Sequence, residues 1–160
     1  MNEEKFQQLA AEGFNRIPVA REVLADTETP LSTYLKLAKG KHSYFFESVQ
    51  GGEKWGRYSI IGLPCSTVVR VQNKKITVEL NGDITEELEV ENPFEFIADF
   101  KSRYRVAEAT DRHRFAGGLV GYFAYDTVRY VETTIGQSSG SDEIGTPDIL
   151  LMLSEEVIVF

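Results

Sequence analysis

Between His42 and Val90 the apolar residues recur with a period near two and are interrupted by turn-forming residues, a pattern that suits half-buried strands better than helices. It predicts strands over residues 43–48, 58–62, 67–72, 76–80 and 83–90, joined as an antiparallel meander. Asn81-Gly82, set between two alternating runs, is the strongest local hairpin signal, because both central residues of such a turn need positive φ. Asn73-Lys74 is a weaker candidate of the same kind.

Helical spacing appears on either side of this region. Phe6, Leu9 and Ala10 lie one turn apart within residues 3–11, with acidic residues in the first turn and Gly13 beyond the end, and are expected to cover one side of the sheet. Residues 17–23 read as extended. Thr29-Pro30 then opens a helix over residues 31–39 that Gly40 stops, with Leu31, Tyr34, Leu35 and Ala38 as its expected buried stripe. Asn92-Pro93 similarly opens a helix over residues 94–105 with Phe96, Ile97, Phe100 and Tyr104 on one face, leaving Arg103 and Arg105 to solvent. Residues 117–125 return to strand, residues 125–132 form a short helix, and residues 136–145 have the composition of a loop. Runs at 148–153 and 157–160 are again strand-like. A chain that stops inside an apolar strand leaves backbone donors and acceptors unpaired, so the expectation is a piece of a longer protein. The alternation of helices with separate strand runs gives an α+β fold, antiparallel sheets flanked by three or four helices, in one domain of residues 1–160.

Charge and composition exclude several functions. A net charge of −8 without a basic stripe argues against nucleic acid. No apolar run approaches the roughly 20 residues of a membrane span, and the acidic N-terminus is unlike a secretion signal, so the expected location is the cytoplasm, with no membrane partner. Cys65, the only cysteine of the 160 residues, cannot form an internal disulfide and is read as a packed residue. His42 and His113 stand in no interpretable order with an acid and a nucleophile, and no calcium-loop spacing occurs, so neither a triad nor a metal site is expected. Asp83, Glu86 and Glu87 are read as solvated. Gly117, Gly118 and Gly121 match neither nucleotide fingerprint. They read instead as places of close backbone approach, with Tyr122, Phe123 and Tyr125 filling the adjoining space. Asp126, Arg129 and Glu132 sit three apart and are expected to pair as ions.

The most informative stretch is residues 44–64, YFFESVQGGEKWGRYSIIGLP, where polar clusters stand at the ends of apolar strands and flank a glycine loop. Read from the residues alone, Glu47-Ser48 fits a strand end with a polar face as well as a ligand site. Trp55, Arg57, Tyr58 and Ser59 fit a packed indole beside a surface guanidinium as well as a pocket wall. Lys54 is read as solvated.

The run 45–64, together with residues 117–132 (GGLVGYFAYDTVRYVE), resembles the N-terminal region of anthranilate synthase component I, a member of the chorismate-utilising enzymes. The likeness covers nearly the whole chain. Aminodeoxychorismate synthase component I shares the scheme and remains the alternative, although the acid-serine pair and the WGRYSIIG run resemble the former more closely. The resemblance implies the incomplete N-terminal part of a larger two-part α/β sandwich, whose C-terminal chorismate-binding domain is absent from residues 1–160. It implies a parent enzyme that makes anthranilate from chorismate, eliminating pyruvate, with ammonia from a glutamine amidotransferase subunit. Mg2+ would be bound by the C-terminal region, which also carries the catalytic residues, so residues 1–160 are expected to be inactive alone. It also implies that Glu47, Ser48, Trp55, Arg57, Tyr58 and Ser59 form about half of a pocket for L-tryptophan as feedback inhibitor. A carboxylate suits the ammonium of such a ligand, a hydroxyl its carboxylate and an aromatic face its indole. Serving mainly as an interaction surface for the amidotransferase is the other role open to the segment.

Overall fold

The computed structural model describes residues 1–47, 58–108, 115–132, 134–135 and 144–160. Their helices are α1 (Glu3–Ala11), α2 (Pro30–Leu37) and α3 (Pro93–Ser102), with a 3-10 turn at Tyr125–Tyr130. Their strands are β1 (Tyr44–Glu47), β2 (Ser59–Gly62), β3 (Thr67–Gln72), β4 (Lys75–Leu80), β5 (Asp83–Glu89), β6 (Gly118–Phe123), β7 (Ile149–Ser154) and β8 (Val157–Val159). The α+β class is as the sequence predicts.

The expected single meander is divided between two antiparallel sheets, ordered β5-β4-β3-β7-β6 and β1-β2-β8. Only β3, β4 and β5 form a meander. Pro64 closes β2, and β2 takes β8 as its second neighbour, pairing Ile60 with Val159 and Ile61 with Ile158. The two residues Glu155-Glu156 carry the chain from β7 in the larger sheet to β8 in the smaller one, so the two sheets are joined at that corner. Alternation along a strand says which face is apolar but not which strand lies alongside. The turns behaved as local chemistry dictates: Asn73 has φ 55°, and Asn81 and Gly82 have φ 55° and 92°.

β3 and β7 are covered on both faces. On one face Val69, Val71, Ile76, Val78, Ile149 and Leu151 pack with Phe100 of α3, and Phe96, Ile97 and Tyr104 complete that layer as the helical spacing predicts. On the other face Val68, Val120 and Met152 meet Tyr44 of β1, with Ile60 and Cys65 beside them. The larger sheet is therefore the middle layer between α3 and the smaller sheet.

Several expectations fail for identifiable reasons. In α1 Leu9 is buried, but Phe6 and Ala10 are exposed. The helix is tethered to the segment after α3 rather than to a strand face: Asn15 Nδ2 donates to the Arg103 carbonyl, and the Arg105 N–H donates to Asn15 Oδ1. In α2 Leu31 and Leu35 are more than half exposed, and the buried residue is Thr33. Tyr34 alone of the expected stripe finds an aromatic partner, stacking on Phe45 at 5.7 Å. Residues 17–25 join no strand; Arg16 makes an isolated parallel bridge to Val106.

Arg103 and Arg105 are engaged rather than simply solvated. Arg103 lies over the rings of Phe96 and Phe100 and bonds Glu86 at 2.6 Å, while Arg105 lies over Phe14. Glu86 and Glu87 are therefore paired too, the latter with Lys75. Tyr122 and Phe123 of the edge strand β6 are exposed, although Phe123 stacks on Phe94, and Tyr125 in the following 3-10 turn is 92% exposed, so they do not fill the space beside the glycines. The close approach expected at the glycines is present, since a Cβ on Gly121 would stand 1.8 Å from the Leu150 carbonyl oxygen. Arg129 pairs with Asp126 as expected, whereas Glu132 accepts from Thr134.

Candidate functional site

β1 and β2 pair Glu47 with Ser59, Phe46 with Ile60, Phe45 with Ile61 and Tyr44 with Gly62. Cross-strand partners share a face, so Glu47 and Ser59 stand together, and Ser59 Oγ donates to Glu47 Oε1 at 3.2 Å. The Ser59 backbone is held on its other side by Phe160, whose N–H donates to the Ser59 carbonyl and whose carbonyl accepts from the Ser59 N–H. At this end of the smaller sheet lies an open recess of about 530 Å³ lined by Phe45, Phe46, Glu47, Tyr58 and Ile60. A carboxylate beside aromatic and aliphatic walls suits a small ligand with a cationic group and an apolar body.

Of the six residues singled out in sequence, Glu47 and Tyr58 line the recess and Ser59 braces Glu47. Ser48, Trp55 and Arg57, like Lys54 and His113, lie outside the described residues. In sequence Phe45, Phe46 and Ile60 read as strand residues only. Alternation puts Phe45 on the face of Glu47, and the β1–β2 register pairs Phe46 with Ile60 on the opposite face, so the recess is gathered from both faces at the end of the strands, an arrangement periodicity does not specify.

Beneath the recess the smaller sheet is locked to the larger one. The Phe46 ring leans on Tyr44 with centroids 4.9 Å apart, and the Tyr44 hydroxyl and Ser154 Oγ share a buried hydrogen bond of 2.8 Å. Burial pushes the Tyr44 phenol above its ordinary pKa, and the bond to Ser154 pulls the other way. Gly62 makes room for that ring: a Cβ there would stand 1.9 Å from Tyr44 Cε1. Cys65, half-buried in the same cluster, has its thiol pushed up by burial, as its reading as a packed residue requires.

A second recess of about 430 Å³ includes Lys41, His42, Cys65 and Glu79 in its lining. Its polar groups are matched to one another: Arg70 Nε donates to Glu79 Oε1 at 2.7 Å and Arg70 Nη2 lies 3.1 Å from His42 Nε2. Burial, followed by the Arg70 charge, lowers the His42 pKa, so the imidazole is held neutral and accepts from the guanidinium. At the far end of the larger sheet, the Tyr130 hydroxyl donates to Asp148 Oδ2 at 2.7 Å, and burial, then that bond, pushes the phenol upward. The described residues contain no group of three His, Cys, Asp or Glu side chains able to hold a metal ion. No helix among them is long and apolar enough to cross a membrane.

No family profile matches the chain. Individual proteins do. Anthranilate synthase component 1 of Pseudomonas aeruginosa is 55% identical over 160 residues, which is 100% of this chain and 32% of that protein. The protein of the same name from Pseudomonas putida is 57% identical over the same shares, and that of Neisseria meningitidis serogroup B is 47% identical over 99% of this chain and 33% of its own. Among solved structures, anthranilate synthase component I from Streptococcus pneumoniae TIGR4 is similar at 26% identity over 89% of this chain and 29% of that one. Its TM-score of 0.48 is too low to carry structural detail across. The chain is thus a homologue, along its whole length, of proteins named anthranilate synthase component 1, and it spans about a third of the length of the relatives it matches.

Proposed function

We propose that this chain is the N-terminal regulatory part of an anthranilate synthase component I. The observation that carries the proposal is the 47–57% identity to proteins of that name along the whole chain. In this reading the complete protein makes anthranilate from chorismate with ammonia that a glutamine amidotransferase subunit releases, and it works in the cytoplasm. The catalytic residues, and those that hold Mg2+, belong to the two thirds of the relatives that this chain does not span, so residues 1–160 alone do not turn over chorismate.

The recess at the end of β1 and β2 is the proposed half-site for L-tryptophan. Glu47 meets the ligand ammonium and is held for that role by Ser59, Tyr58 and Phe46 supply apolar wall, and Ser48, Trp55 and Arg57 contribute a hydroxyl, an indole face and a guanidinium. The lining of Phe45, Phe46, Glu47, Tyr58 and Ile60 supports this assignment, because it joins one carboxylate to aromatic walls. Bound tryptophan inhibits by favouring a less active arrangement of the whole protein, which requires unequal affinity for two states.

Calorimetric titration of residues 1–160 with L-tryptophan tests the half-site directly, with L-phenylalanine as control ligand and Ser48→Phe as the blank. Heat that is selective for tryptophan and absent in Ser48→Phe is the expected result. In the complete enzyme Ser48→Phe relieves tryptophan inhibition; inhibition that persists unchanged in that variant removes the site from this segment.

A further inference from the structure

We infer that Tyr44 and Ser154, neither of which lines the recess, are positioning residues that couple the proposed inhibitor site to the five-stranded sheet. The inference rests on the reading of the recess as the tryptophan half-site and extends it to how occupancy is transmitted. Phe46 is a recess wall, and its ring leans on Tyr44 at 4.9 Å. Tyr44 in turn is fixed at its hydroxyl by Ser154 Oγ, at 2.8 Å, and Ser154 is 2% exposed at the end of β7. The ring also lies across Gly62, where any side chain would collide with it, so its path is set on that side too. Ser154 precedes the Glu155-Glu156 corner at which the chain passes from the larger sheet to β8, the strand bonded to β2. Phe46, Tyr44 and Ser154 thus form a continuous contact from the recess wall to the corner that joins the sheets. A ligand pressing on Phe46 displaces Tyr44 and loads that hydrogen bond.

Spatial continuity alone does not establish coupling, so the test is a double-mutant cycle read on inhibition. In the complete enzyme with its amidotransferase, Tyr44→Phe and Ser154→Ala each remove the bond and keep the ring. Each is expected to raise the tryptophan concentration for half-inhibition about two- to ten-fold, the range of one buried neutral hydrogen bond. The double variant is expected to shift no further than the larger single effect, and kcat and KM for chorismate without inhibitor stay unchanged, which a generally loosened fold would not allow. Additive shifts, or unchanged inhibition in Tyr44→Phe, overturn the coupling. Glu47→Gln runs alongside as the separate test of the site itself. If it impairs inhibition while the Tyr44 and Ser154 variants do not, the coupling alone fails; if it has no effect, the recess is not the site and both readings fail.

Discussion

Gly62→Ala tests the packing between the sheets, and its cost can be worked from the structure. The added Cβ would stand 1.9, 2.3 and 2.4 Å from Tyr44 Cε1, Cζ and Cδ1, where carbon atoms prefer about 3.5–4.0 Å. The ring has to retreat by more than an ångström, yet its hydroxyl is bonded to Ser154 and its face leans on Phe46. Overpacking of this kind costs about 1–3 kcal/mol. Loss of the Ser154 bond adds about 1 kcal/mol, and the narrower unfolded ensemble of alanine returns about 0.4–1 kcal/mol. The net expectation is a destabilisation of about 1–4 kcal/mol, measured by urea unfolding of the chain followed by far-ultraviolet circular dichroism. In a Tyr44→Ala background the collision is gone, so the same substitution becomes neutral or stabilising by up to about 1 kcal/mol. Equal destabilisation in both backgrounds would refute the ring contact as the cause.

His42 makes stability depend on pH. Its folded pKa lies below the ordinary 6.5, so its contribution is complete above pH 6.5 and is lost as pH falls through the folded value; His42→Gln should flatten that part of a stability–pH profile relative to the parent. Gly82→Ala meets no neighbour within 4 Å, so its cost is conformational alone, about 1–2 kcal/mol for a β-carbon at φ 92°, read as a lower urea midpoint with unchanged m-value. Asn92→Ala removes the side-chain bond to the Phe94 N–H that starts α3, and about 1 kcal/mol of stability should go with it in the same assay.

The features legible in advance were those set within a few residues. The Asn81-Gly82 turn, the Asn92-Pro93 helix start and the apolar face of α3 each express backbone dihedrals or a 3.6-residue period, and the structure has them where the residues place them. The α2 stripe misled because apolar spacing marks a face without supplying the surface that covers it; Leu31 and Leu35 stay exposed among the described residues. At the candidate site the sequence marked Glu47, Tyr58 and Ser59, but the family resemblance rather than spacing gave them a ligand. Phe45, Phe46 and Ile60 carried no signal beyond strand propensity.

By itself, then, the sequence determined the α+β class, the strand positions and turns, and the acidic, cysteine-poor character that excludes a disulfide scaffold. Tertiary structure alone decided that β1 and β2 leave the meander to join β8, that β7 enters between β3 and β6, and that Tyr44 bonds Ser154 across the sheets. The physical reason is separation along the chain. A turn is specified by its own φ and ψ, whereas the pairing of Ile61 with Ile158 is chosen by what remains to be buried once every other strand has found a neighbour.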